Sequence, residues 1–124
     1  MAKKLGLKPG ASVLTIGAPD GYLDWLKPLP DGVCFVEKPP VDLIHLFAAS
    51  RAELEAALPR ARAAIRPEGA IWVSWHKKSA KVPTDLTEDD IRALAQKGDL
   101  VDVKVCAVTD VWSGLKLVVR RALR

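Results

Sequence analysis

Apolar and polar positions follow one another along the chain in short, separable units. Ser12-Val13-Leu14-Thr15-Ile16 is an apolar, β-branched run between a turn at Lys8-Pro9-Gly10 and Gly17, which predicts a first strand. Asp20 is a good N-cap for a short helix holding Tyr22, Leu23, Trp25 and Leu26, which Pro28 and Pro30 end. Val33-Cys34-Phe35-Val36 predicts a second, brief strand stopped by Pro39 and Pro40. Asp42 to Phe47 is apolar on both sides, as a buried parallel strand is. Ser50-Arg51-Ala52-Glu53 fits a capping box, and Leu54, Leu58, Ala61 and Ile65 form one helical stripe. That helix is expected to reach about Arg66, to be kinked or divided at Pro59, and to stop at Pro67-Glu68-Gly69. Ala70 to Trp75 is the next strand. Thr87 caps a further helix with stripe Ile91, Leu94 and Ala95, ended by Lys97-Gly98. Val101 to Val108 and Leu115 to Arg120 then alternate as two strands of an antiparallel hairpin.

Strands alternating with helices, then a hairpin, predict one α/β domain over residues 1–124, a three-layer sandwich with helices on both sheet faces and right-handed crossovers. The link Glu37 to Val41 is shorter than the ~10 to 12 residues a parallel crossover needs, so Val33 to Val36 is a very short edge strand or irregular. The expected sheet order is 2-1-3-4-6-5, with the last strand antiparallel. Cys34 and Cys106 then lie at opposite edges, roughly 24 Å apart at about 4.8 Å per strand, too far for a disulfide. Each sits in an apolar run, which predicts buried thiols.

Composition narrows the function classes. With 49% apolar and 27% charged residues among 124, the chain is globular in type, not disordered. No apolar run reaches the roughly 18 residues of a membrane span, and Met-Ala-Lys-Lys-Leu-Gly lacks a signal-peptide core, so a cytoplasmic protein is expected. The net charge of +4 comes from basic residues spread along the chain, and nucleic acid is not the expected partner. Two His and two Cys without close spacing give no zinc signature.

Leu5-Gly6-Leu7-Lys8-Pro9-Gly10 followed by Val13 to Gly17 resembles the opening of class I S-adenosylmethionine-dependent methyltransferases. Asp42 to Phe47, the capped helix, Arg66-Pro67-Glu68-Gly69, Ile71 to Trp75 and the terminal hairpin resemble the second half of that fold, with a segment missing after the second strand. A closer, end-to-end resemblance is to a bacterial family of small proteins of unknown function. It rests on Lys4-Leu5-Gly6, Gly17-Ala18-Pro19-Asp20-Gly21, Trp72 to Lys78, Thr84 to Asp89, Leu100 to Ala107 and Trp112-Ser113-Gly114-Leu115. The chain departs from the methyltransferase pattern at two places. Thr15 stands where that pattern has an acidic residue, and Pro19, which has no N–H, replaces the middle glycine of the turn. Asp20 adds negative charge where the cofactor's carboxylate sits. These departures favour a non-catalytic binding domain for a small anionic ligand or a protein partner. The alternative is a reduced methyltransferase or nucleotide binder, with S-adenosylmethionine as its cofactor.

In open α/β sheets ligands sit at the carboxyl ends of the strands. The residues expected there are Gly17, Pro19, Asp20, Gly21 and Tyr22 after the first strand, Glu37 after the second, Ser50 and Arg51 after the third, and Trp75, His76, Lys77 and Lys78 after the fourth. Glu37 lies where an acidic residue holds a ribose in dinucleotide folds. His76 at a strand exit could act as a base. Lys77, Lys78 and Lys81, beside the Thr87 helix N-terminus, could bind phosphate. Trp75 and Trp112 could stack on a ring. Each has a plainer reading: Asp20 and Ser50 as caps, the lysines as a solvated loop, the tryptophans as core. His45, mid-strand, reads as a neutral, hydrogen-bonded core histidine. A nucleic-acid role would fall to Lys77, Lys78, Lys81, Arg120, Arg121 and Arg124. A homodimer is expected if the flank of the first strand is poorly covered.

Overall fold

The computed structural model describes residues 5–18, 21, 22, 24, 31–38, 40–77, 86–109 and 112–120. The strands are β1 (Ser12–Ile16), β2 (Cys34–Phe35), β3 (Val41–Phe47), β4 (Ile65–His76), β5 (Leu100–Ala107) and β6 (Trp112–Val119). The helices are α1 (Arg51–Ala64) and α2 (Glu88–Lys97). They form a six-stranded sheet in the expected order, β2-β1-β3-β4-β6-β5. β1, β2, β3 and β4 pair in parallel, and β6 runs antiparallel to both β4 and β5. The two cysteines lie on the two edge strands and are free, but neither is buried as expected: Cys34 is exposed, because β2 is only two residues long, and Cys106 is half-buried on β5.

α1 begins where its capping chemistry puts it. Ser50 Oγ accepts from Glu53 N, and Glu53 Oε2 accepts from Ala49 N at 2.7 Å. Pro59 does not divide the helix. Its missing hydrogen bond and ring clash cost about 3 kcal/mol. Burial of Leu54 and Leu58, each worth about 1.5 to 3 kcal/mol, offsets this. The helix ends at Ala64, before Arg66, since continuation would drive the Pro67 ring into a backbone carbonyl one turn back. β4 starts at once, at Ile65. Between the pairs Val41↔Ile65 and Leu43↔Ala70, β3 advances two residues and β4 five, so Arg66–Gly69 bulge out of the ladder. Pro67-Glu68-Gly69 is therefore a bulge within a strand as well as the end of a helix.

The two faces of the sheet are covered differently. Ile44, Leu46, Ile71, Val73, Leu115 and Leu117 pack under α1 and α2. On the other face Val13, Leu43, Phe47 and Trp72 pack against Leu5, Leu7 and Tyr22. α1 and α2 thus lie on one face, and on the other Leu5 and Leu7 from the chain before β1 pack beside Tyr22, which, like Asp24, is helical, in the segment read as a short helix. The Trp72 indole N–H donates to Leu5 O at 2.9 Å and ties that cover down. A bulge at Val103 breaks the alternation predicted for β5 and leaves Val103 and Val105 exposed at the edge. No described helix is long and apolar enough to cross a membrane.

Candidate functional site at the carboxyl ends of the strands

The ends of β1, β2, β3 and β4 open on one side of the sheet. Gly17 leaves β1 with φ +70°, and a Cβ there would lie 3.0 Å from Phe47 O. The backbone of the turn is thus pressed against the end of β3, a fit that favours glycine. Gly21 (φ +79°) is open to solvent, and Tyr22 turns inward. β2 pairs with β1 through Ser12↔Cys34 and Val13↔Phe35, and Val36 N donates to Val13 O at 2.8 Å. Continued by two residues, that register sets Glu37, which is exposed, level with Thr15, near the end of β1 and short of the Gly17 turn. Pro19, Asp20, Lys78 and Lys81 lie outside the described residues, as do Leu23, Trp25, Leu26, Arg121 and Arg124.

Behind the turn lies a buried polar chain. The Tyr22 hydroxyl and His45 Nδ1 are 2.8 Å apart, and His45 Nε2 and Ser74 Oγ 2.7 Å. His45 and Ser74 have no exposed surface. Burial lowers the His45 pKa to about 3 and raises that of Tyr22 above the phenol range. A neutral imidazole donates at one nitrogen and accepts at the other, so both ring atoms are satisfied without charge. His45 is a core histidine, as expected. Aromatic rings continue the chain: His45 stacks on Phe47 at 4.2 Å, Phe47 meets Trp112 edge-on at 4.9 Å, and Trp112 lies 3.9 Å from His76. The glycine turn and His76 are thus linked through packed rings. Ser74, Phe47 and Trp112 were not predicted as one cluster with Tyr22. Their signal was two-residue spacing on neighbouring strands, His45 with Phe47 and Ser74 with His76.

The remaining candidates divide. His76 Nδ1 is buried and has no hydrogen-bond partner among the described residues. Its ring lines a cleft with Trp75, Leu86, Thr87, Glu88 and Asp89. Trp75 is 8% exposed and belongs to the core beneath the helices, so it offers an edge and not a free stacking face. The Trp112 face is taken by His76. Ser50 is committed to its cap, and Arg51 reaches Glu55 (3.5 Å) and Asp90 (3.7 Å). Lys77 is half-buried at the strand exit. The N-terminus of α2 does not suit phosphate. Thr87 and Asp90 cap each other reciprocally, and Glu88, Asp89 and Asp90 already bring negative charge to that helix end. No group of metal-ligating side chains occurs among the described residues.

The fold is similar to that of several solved enzymes. A methyltransferase from Aquifex aeolicus dependent on S-adenosylmethionine superposes with TM-score 0.68 at 16% identity, over 93% of this chain and 85% of that one. A ribosomal-protein methylase from Lactobacillus delbrueckii subsp. bulgaricus gives 0.64 at 13%, over 97% and 75%. This is a methyltransferase-like Rossmann fold. A tRNA methyltransferase of B. subtilis gives 0.56 at 12%, and there the chain covers 63% of the enzyme, under two thirds of its length. No family model and no curated protein matches the chain. Against the methyltransferase-like fold, the chain has a two-residue β2 and passes directly from it to β3.

Proposed function

We propose that the protein is a reduced methyltransferase that binds S-adenosylmethionine, or its product S-adenosylhomocysteine, across the carboxyl ends of β1 and β2. The observation that supports this reading is the parallel pairing of those strands, which runs Glu37, just after β2, alongside the last residues of β1 before the Gly17 turn. The fold shared with methyltransferases supports it. Glu37 can accept hydrogen bonds from vicinal ribose hydroxyls. Gly17, lacking a side chain, lets the ligand's amino-acid end approach the backbone. The ligand, when bound, supplies an electrophilic methyl group. His76 Nδ1, without a hydrogen-bond partner among the described residues, is the atom we assign to take a proton from an acceptor. We also read the chain as a relative of the small bacterial family it resembles.

Calorimetry with S-adenosylhomocysteine tests the binding. Saturable heat is expected, with affinity falling about tenfold in Glu37→Ala, as loss of a charge-assisted hydrogen bond costs about 1.5 to 3 kcal/mol. No heat, or wild-type affinity in both Glu37→Ala and Gly17→Arg, rejects the assignment. Thr15 and Pro19 favour a second reading, a binding module without methyl transfer that takes a small anion or a protein partner. Tight binding with no transfer to any acceptor, and no loss of function in His76→Ala, would support that reading instead.

A further inference from the structure

The opposite end of the sheet carries an unbalanced basic site. Lys104 on β5 and Lys116 on β6 are cross-strand partners. Like charges in that position oppose pairing. Lys116 is half-buried, and its ammonium lies beside Gly6, 3.7 Å from where a Cβ would be. Among the described residues no carboxylate pairs with Lys104, Lys116 or Lys8. Lys8, Arg66 and Lys116 line a cavity of about 410 Å³ beneath the amino ends of β1 and β3, walled by Leu43 and the 6–10 loop. The loop bends there through Gly6 and Gly10, both at φ +78°. Two acids also line it, and they do not cancel the lysines. Asp42 is spent on Ser12 N (3.0 Å), Ser12 Oγ (3.2 Å) and Arg66 (3.1 Å). Glu68 is an exposed residue of the β4 bulge.

We infer that this cavity is a site for a small phosphate-bearing anion, separate from the strand-end site above. Lys116 and Lys8 supply ammonium donors, and the ligand's charge relieves the Lys104–Lys116 repulsion. The mixed lining, with Leu7, Pro9 and Leu43 beside the lysines, has room for the organic body of a phosphomonoester as well as its phosphate.

The test is an amide NMR titration of the full chain at constant ionic strength, with inorganic phosphate and phenyl phosphate as separate probes. Saturable shifts are expected at Gly6, Gly10, Gly69 and Lys116, with a dissociation constant below about 1 mM for at least one probe. Tighter binding of phenyl phosphate marks an organic ester as the ligand, and equal affinity marks free phosphate. Lys116→Met should weaken binding about tenfold, with no loss of melting temperature, since it removes a repulsive pair. Lys8→Met, in an exposed loop, gives a second reading should the first variant fail to fold. Shifts that stay linear, that centre on Gly17 and Gly21, or that persist in Lys8→Met and Lys116→Met alike overturn the proposal.

Discussion

His45 shows how one side chain can set a property of the whole protein. Its neutral ring joins Tyr22 to Ser74 inside the sheet. Burial holds its pKa at about 3, against about 6.5 for an unfolded chain. Between those values the unfolded state binds a proton that the folded state does not, so stability rises with pH across that window. The slope approaches about 1.4 kcal/mol per pH unit for this one group. Urea denaturation from pH 5 to 6.5, above the range where most carboxylates titrate, should show it. In His45→Gln most of that slope should be gone. An unchanged slope would mean that the ring is not held neutral. The sequence announced a core histidine here, because its neighbours are Leu and Ile. It could not announce the partners, which come from residues 23 and 29 positions away. Gly69 teaches the same lesson from the other side. Read as a helix stop, it is required by contact: a Cβ would lie 2.6 Å from Asp42 O. Only the paired strands reveal that approach.

Elements were legible where their signals are local. The Ser50 and Thr87 caps, the α2 stripe and the start of β1 follow from a few adjacent residues, and they formed as read. The ends of α1 and β4 were less legible. Pro67 and Gly69 serve both the helix stop and the strand bulge, and the pairing that separates these roles lies on β3. The caps give a direct test. Ser50→Ala and Thr87→Ala should each lower unfolding stability by about 1 kcal/mol, through the orphaned N–H groups of Glu53 and Asp90. Arg51 approaches Asp90 at the start of α2, so the helices meet at their N-termini. The double variant measures whether the caps are coupled. A sum within about 0.5 kcal/mol means independent caps.

At the scale of the molecule, the sheet order was recoverable because short links and the strand sequence leave few ways to build it. The candidate site was legible as a place, the strand ends, more than as chemistry. The sequence put Ser50 and Trp75 in the cleft; the fold commits Ser50 to a cap, and Trp75 lines the cleft beside His76 while most of it lies in the core. This architecture makes the sheet unequal in stability. β3 and β4 are paired on both sides and lie under both described helices, while β2 is a two-residue, exposed edge. Local opening should therefore start at β2. The amides of Cys34 and Val36, bonded to Ala11 and Val13, should exchange at least about a hundredfold faster than those of Ile44, Leu46, Ile71 and Val73. Equal protection would mean that the sheet opens as one unit. If opening does start at β2, the proposed ligand bridges the weakest edge to the rigid centre, from Glu37 to the Gly17 turn. Saturating S-adenosylhomocysteine should then slow exchange at Cys34 and Val36 and at the Gly17 turn, with β4 exchange slowed only as far as global stability rises. A uniform slowing of every amide by the same factor would show a ligand seated on the rigid centre instead, away from β2.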